Sequence, residues 1–289
     1  MRHAALLGLG LALALAATPA LARPKTWDQN WDVTGTPDVH VVADDAHVRI
    51  LAGPKGKVTA HVVYELKRWG LVVGSLEPTV VFERKGDQIW ITARDPKTIG
   101  VIGGMDEHYN IDVTVPTDVT LSVKTGDGSV DCEPISGRLT FVTGDGAVRA
   151  HGLKGDIDIS SGDGRVILDD IDGRLRGRSG DGRLLVAGRF DQLDLSTGDG
   201  RVEATARRGS KMLTPWNLES GDGSVTLRIP VDLDAMLDAR TRDGRLNIQL
   251  PITLPAHPRH NELVGELNNG GPTLRVRTQD GGITLALSQ

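Results

Sequence analysis

The tripeptide Gly-Asp-Gly returns every 18 residues, and a fixed interval of that size restricts the chain to folds built by stacking equivalent units. Its aspartates are Asp127, Asp145, Asp163, Asp181 and Asp199, with looser copies at Asp222, Asp243 and Asp280. Apolar residues alternate around every copy. Leu121, Leu139, Ile157, Leu175 and Leu193 stand five positions before the first glycine, and Val123, Phe141, Ile159, Gly177 and Leu195 three before it. After the second glycine come Val130, Val148, Val166, Leu184 and Val202, then Cys132, Ala150, Leu168, Val186 and Ala204. Period-2 alternation on both sides of a tight turn describes strands with one buried face. Each unit therefore reads strand, Asp-Gly turn, strand, second turn, with Gly137, Gly155 and Gly173 in the second turn. The glycine after each aspartate is expected to supply positive φ at the reversal.

Two assemblies satisfy this pattern. One is an antiparallel meander of hairpins. The other is a β-solenoid in which equivalent residues stack roughly 4.8 Å apart. A meander leaves an apolar face for another layer to cover, and no segment reads as a helix or a spare sheet. The reading is therefore all-β: a single-chain β-solenoid of about 18-residue coils, two strands and two turns per coil, with an irregular β N-terminal cap. Residues 1–22 read as a signal peptide and 23–120 as the cap with degenerate repeats. Residues 121–205 hold the regular repeats and 206–289 irregular C-terminal ones, 23–289 forming one continuous domain. Degenerate copies of the frame run through Val39, Val41, Val48 and Ile50, through Leu237, Ala239, Leu246 and Ile248, and through Leu274, Val276, Ile283 and Leu285. The proline-rich stretch from Pro251 to Pro272 reads as a long loop.

The first residues, Met1-Arg2-His3, precede an apolar run from Ala4 to Ala17 and the small-residue site Ala20-Leu21-Ala22. That is the layout of a secretory leader, so the chain is expected in a periplasm or outside the cell, with no transmembrane span after cleavage. A net charge of −5 with both signs interspersed lacks the basic patch that nucleic acid requires. Cys132 is the single cysteine, and its apolar place in the repeat predicts a buried thiol. Aromatic residues at 3% and 36 glycines describe small turns and an aliphatic interior, without a deep aromatic-lined pocket.

Stacked carboxylates at Asp127, Asp145, Asp163, Asp181 and Asp199 suggest a calcium ladder, since calcium takes six to eight oxygen ligands. The plainer expectation is that each aspartate caps its own turn through backbone N–H groups, with Arg165, Arg183 and Arg201 balancing the charge. Acid–base chemistry needs carboxylates in unlike environments, and a repeat makes environments alike. No catalytic residue, metal or cofactor is assigned. His257 with His260, and His40 with His47, lack a third ligand at metal spacing. Two glycine-rich apolar segments, Trp69 to Gly74 and Ile99 to Met105, read as cap loops. Exposed, they offer a partner surface through Trp69, Leu71, Val72, Val73, Ile99, Val101, Ile102 and Met105; packed, they plug the first coil.

The leader, the Thr/Ser-Gly-Asp-Gly-x-Val units and the run from Val113 to Gly128 together resemble a bacterial β-strand-repeat family of unknown function, labelled as candidate adhesins. The resemblance implies the repeat fold from about Asp38 to Leu287 and supplies no catalytic residues. Non-enzymatic binding of an envelope protein or surface glycan is the expected role. A calcium- or carbohydrate-binding module, or an enzyme, using the aspartate edge, and a ligand-free spacer, are the alternatives.

Overall fold

The computed structural model describes residues 24–74, 77–96, 98–253 and 261–288, with the backbone alone at 68–72, 98, 99, 105 and 253. The expected leader, His257 and His260 lie outside the described residues. The chain begins with β1 (Lys25–Asp32), β2 (Asp38–Ala43), β3 (Ala46–Gly53), the long β4 (Lys57–Gly74), β5 (Thr79–Lys85), β6 (Gln88–Arg94) and the long β7 (Thr98–Pro116). Shorter strands follow: β8 (Asp118–Lys124), β9 (Val130–Cys132), β10 (Ser136–Thr143), β11 (Val148–His151) and β12 (Lys154–Ser161). Next, β13 (Val166–Ser179) and β14 (Leu184–Thr197) each turn a corner without breaking, so one strand serves two faces. The remainder is β15 (Val202–Ala206), β16 (Trp216–Ser220), β17 (Val225–Ile229), β18 (Ala235–Thr241), β19 (Leu246–Gln249), β20 (Ile252–Thr253), β21 (Glu262–Leu267), β22 (Thr273–Thr278) and β23 (Ile283–Leu287).

The regular units pair in parallel, each residue opposite the one 18 positions on. Leu121 faces Leu139, Leu139 faces Ile157, and Ile157 faces Leu175 on one face of the stack. Val130, Val148, Val166, Leu184 and Val202 align in the same way on the other. Both faces turn these rows inward, and the core is their union. Burying one such aliphatic side chain is worth about 1.5–3 kcal/mol, repeated at every rung. Gly177 is the one gap in its row; a Cβ there would lie 2.9 Å from Leu195 Cδ2, so the next rung's leucine already fills the space. Phe190 and Trp216, both fully buried, meet edge to face at 6.2 Å and 86°.

Stacking also explains the glycines, though not in the expected way. At Gly164 φ lies outside the left-handed region, and a Cβ would sit 2.0 Å from the carbonyl oxygen of Gly146 in the rung before. The second glycine of each Gly-Asp-Gly is thus required by backbone lying on backbone, and the positive-φ expectation is corrected. Positive φ falls instead where the chain leaves the second turn, with 130° at Gly137, 109° at Gly155 and 129° at Gly173. Beneath the aspartate turns runs a row of hydroxyls. Ser179 Oγ donates to Gly162 O at 2.9 Å and Thr197 Oγ1 to Gly180 O at 2.8 Å, so each ties its turn to the preceding one.

At both ends the order in space departs from the order in sequence. β2 lies between β6 and β8, and β3 between β7 and β9. Likewise β22 lies between β16 and β18, and β23 between β17 and β19. Each terminal rung of the chain is therefore held between two others. Residues 25–116 form seven strands, and β5, β4 and β1 add antiparallel pairing at this end. At the other end β21 pairs antiparallel with β18. Part of the stretch read as a loop after Pro251 is therefore strand, covering an edge that would otherwise offer free N–H and C=O groups.

Candidate functional site

Along the edge formed by the Gly-Asp-Gly turns, each carboxylate serves the following rung. Asp127 N–H donates to Asp45 Oδ1 at 2.8 Å, Asp145 N–H to Asp127 Oδ1 at 3.3 Å, and Asp163 N–H to Asp145 Oδ1 at 3.3 Å. Asp181 and Asp199 continue the series at 3.1 and 3.2 Å. The aspartates cap turns as expected, but the turn each one caps belongs to its neighbour. Of the three arginines expected to balance them, Arg201 instead approaches Glu203 at 3.6 Å. Among the described residues no group of three or more His, Cys, Asp or Glu side chains gathers as a metal site.

The two apolar segments prove to be neighbouring strands. Trp69 pairs with Gly104, Leu71 with Ile102, Val72 with Val101 and Val73 with Gly100, within the antiparallel pair β4–β7. β1 covers only residues 57–64 of β4, and β3 only residues 109–116 of β7. Among the described residues, 65–74 and 98–108 therefore pair only with each other, as a two-stranded ribbon inserted where an ordinary rung would make its Asp-Gly turn. Val73 is 52% exposed, Val101 39% and Ile102 74%, so these positions do not plug the stack. Ile99 and Met105 lie in β7 on the same ribbon. Charged residues stand at its base, where Lys67 faces Asp106 and Glu65 faces His108. Sequence reading found the residues and missed the pairing, although their shared glycine-rich composition was the available signal.

At the foot of this ribbon the repeat pattern breaks in a way that sequence reading did not find. The rings of Tyr64 and Tyr109 lie 4.8 Å apart, and Tyr109 donates its hydroxyl proton to Arg94 O at 2.7 Å. Burial, then the charges of Asp44 and Asp45, hold the Asp95 carboxyl above its usual range. Burial, then Asp95, does the same to Glu107. Burial raises both tyrosine hydroxyls as well. The two carboxyls shift in the same direction, unlike a general acid and base whose surroundings separate them.

The remaining candidates are structural. His40 stacks on Trp90 at 3.9 Å and 9°, with its Nε2 3.0 Å from Asp38. His47 Nδ1 bonds Ser129 Oγ at 2.6 Å. Cys132 is buried, and burial pushes its thiol up, away from the reactive thiolate.

The chain is similar to solved structures over nearly its whole length. A candidate lipid-binding protein from Parabacteroides distasonis is 15% identical, with a TM-score of 0.51 over 91% of this chain and 96% of that one. A candidate adhesin from Parabacteroides merdae is 11% identical, with a TM-score of 0.49 over 90% and 96%. At such identity the likeness concerns the fold alone. No curated protein matches. The period, the stacked turns and the parallel ladders coincide with a family model matched across residues 41–286, and the chain belongs to the Toastrack DUF4097 family.

Proposed function

We propose that this chain is a non-enzymatic scaffold of the bacterial envelope, exported by the leader at residues 1–22, that binds a protein partner through its apolar ribbon. In this reading residues 23–289 form one continuous β-solenoid of 18-residue coils, closed at its N-terminal end by β1, β4 and β5, and the stack holds the ribbon in place. The observation that carries it is the exposure of Val73, Val101 and Ile102 on the outer halves of β4 and β7, which among the described residues pair only with each other. A two-stranded ribbon also keeps unpaired N–H and C=O groups along both outer edges, so addition of a partner strand is its natural mode of contact. A surface glycan is the second reading, favoured by the Trp90 ring, 39% exposed on the outer face.

Photo-crosslinking in the native envelope tests the proposal, with the probe at Val101 and a control at Ser160. A discrete protein captured from Val101 alone, and lost in the Ile102→Asp variant, is the expected result. Equal capture from both positions, or none from either, would overturn the ribbon as the binding site.

A further inference from the structure

Inside the stack, an insertion lengthens the 18-residue interval after the last regular copy. Asp199 and Asp222 stand 23 residues apart, and the added length falls in the connection from β15 to β16. This connection is pinned along its length. Arg207 N–H donates to Gly188 O at 2.7 Å, Lys211 N–H to Phe190 O at 3.0 Å and Leu213 N–H to Asp191 O at 3.2 Å. Buried Ser210 accepts from Phe190 N–H at 3.1 Å and donates to Arg207 O at 2.7 Å. Met212 is buried beneath the loop, whereas Leu213 is 69% exposed.

Basic residues stand in and beside the same loop. Arg207 spends its charge on Asp169 and Asp170. Arg208, Lys211 and Arg228 form no ion pair among the described residues. Arg208 and Arg228 line one open cleft with Thr205 and Leu287, and Leu287 is itself 41% exposed. Arg208, Arg228 and Leu287 thus share one cleft at this edge, and Lys211 and Leu213 follow Arg208 in the loop, where Leu213 N–H is held by the Asp191 carbonyl.

We propose that this edge docks on an anionic lipid bilayer, with the cations against headgroup phosphates and Leu213 and Leu287 in the interfacial layer. Cations alone would suit any phosphate. The leucines gain only from an apolar medium, and a bilayer surface offers both within a few ångströms. The loop leaves from the edge of the second turns, whereas the ribbon leaves from the edge of the Asp-Gly turns. Docking here would leave the ribbon directed away from the membrane, free for its partner.

Sedimentation of the purified chain with phosphatidylcholine vesicles, with and without phosphatidylglycerol, tests the proposal. Binding is expected only to the anionic vesicles, weakening as salt rises. Arg208→Gln and Arg228→Gln should each lower the affinity roughly fivefold. Leu213→Ser should weaken binding at every salt concentration. Each variant is compared at an unchanged thermal midpoint, and Lys211→Gln replaces any that melts early. Absence of binding, binding independent of phosphatidylglycerol, or variants equal to the parent would overturn the proposal. Displacement by inorganic phosphate would also overturn it, assigning the cleft to a soluble anion. Partner capture from Val101 is scored separately, so either surface can fail without the other.

Discussion

Gly164 and Arg165 are neighbours in the chain, and the stack treats them oppositely. Gly164→Ala would place a methyl 2.0 Å from Gly146 O, against the backbone of the rung before. A loss of about 1–3 kcal/mol is expected in denaturant titration, whereas Arg165→Ala should stay within about 0.5 kcal/mol as a surface change. Asp163 is a test of the edge. Asp163→Ala loses the bond from Asp181 N–H, worth about 1 kcal/mol, and Asp163→Asn keeps an acceptor oxygen. The asparagine variant should therefore melt close to the parent, and EDTA should move neither curve. Asp95 makes stability depend on pH, because its folded value lies above its unfolded one. Below about pH 4 both states hold the proton. As pH rises, the unfolded chain releases its proton first, and stability falls until the folded value is passed. Asp95→Asn should consequently be more stable than the parent at pH 7 and no more stable at pH 3, as thermal melts would read. None of these three roles follows from residue type alone. The sequence displays a glycine or an aspartate, while the atom it meets belongs to another rung.

At the scale of elements, the inward rows carry the stability, while the ribbon exposes Val73, Val101 and Ile102. Ile157 is 3% exposed, between Leu139 and Leu175. Ile157→Asp would bury a carboxylate with no partner among aliphatic side chains, at a cost of several kcal/mol. Loss of the cooperative transition in circular dichroism is the expected outcome. Ile102→Asp, on the exposed ribbon, should leave that transition unchanged. The inward rows were legible beforehand, since period-2 alternation fixes which residues share a face. The ribbon was not. Two segments separated by about 30 residues are both apolar and glycine-rich, yet composition does not reveal whether such segments plug a core or pair with each other.

For the whole molecule, the interlaced ends matter most. A middle unit contacts its neighbours through identical ladders, so deleting residues 145–162 and joining Gly144 to Asp163 should leave the register intact. Repeat stability is close to a sum of nearest-neighbour terms, and a shorter stack with a slightly lower melting midpoint is expected. Truncation after residue 272 differs, because it removes β22 and β23 from between β16–β17 and β18–β19. Both neighbours would lose their ladder, and broad, early unfolding should follow. Equal melting of the two deletion variants would contradict this order of rungs.

The repeat, the faces of its strands and the positions of its turns follow from the order of residues alone. These depend on the alternation of side chains along a strand and on an interval that returns each residue to the same place. Even the degenerate copies obey it, with Leu274 and Val276 in line with Trp216 and Leu218. Which rung lies next to which at the ends, where the ribbon leaves the stack, and which charges gather at Asp95 and at Arg208 emerge only once the chain is folded. Those outcomes depend on the path of the chain between units and on backbone meeting backbone across a rung. Neither has a local period to be read.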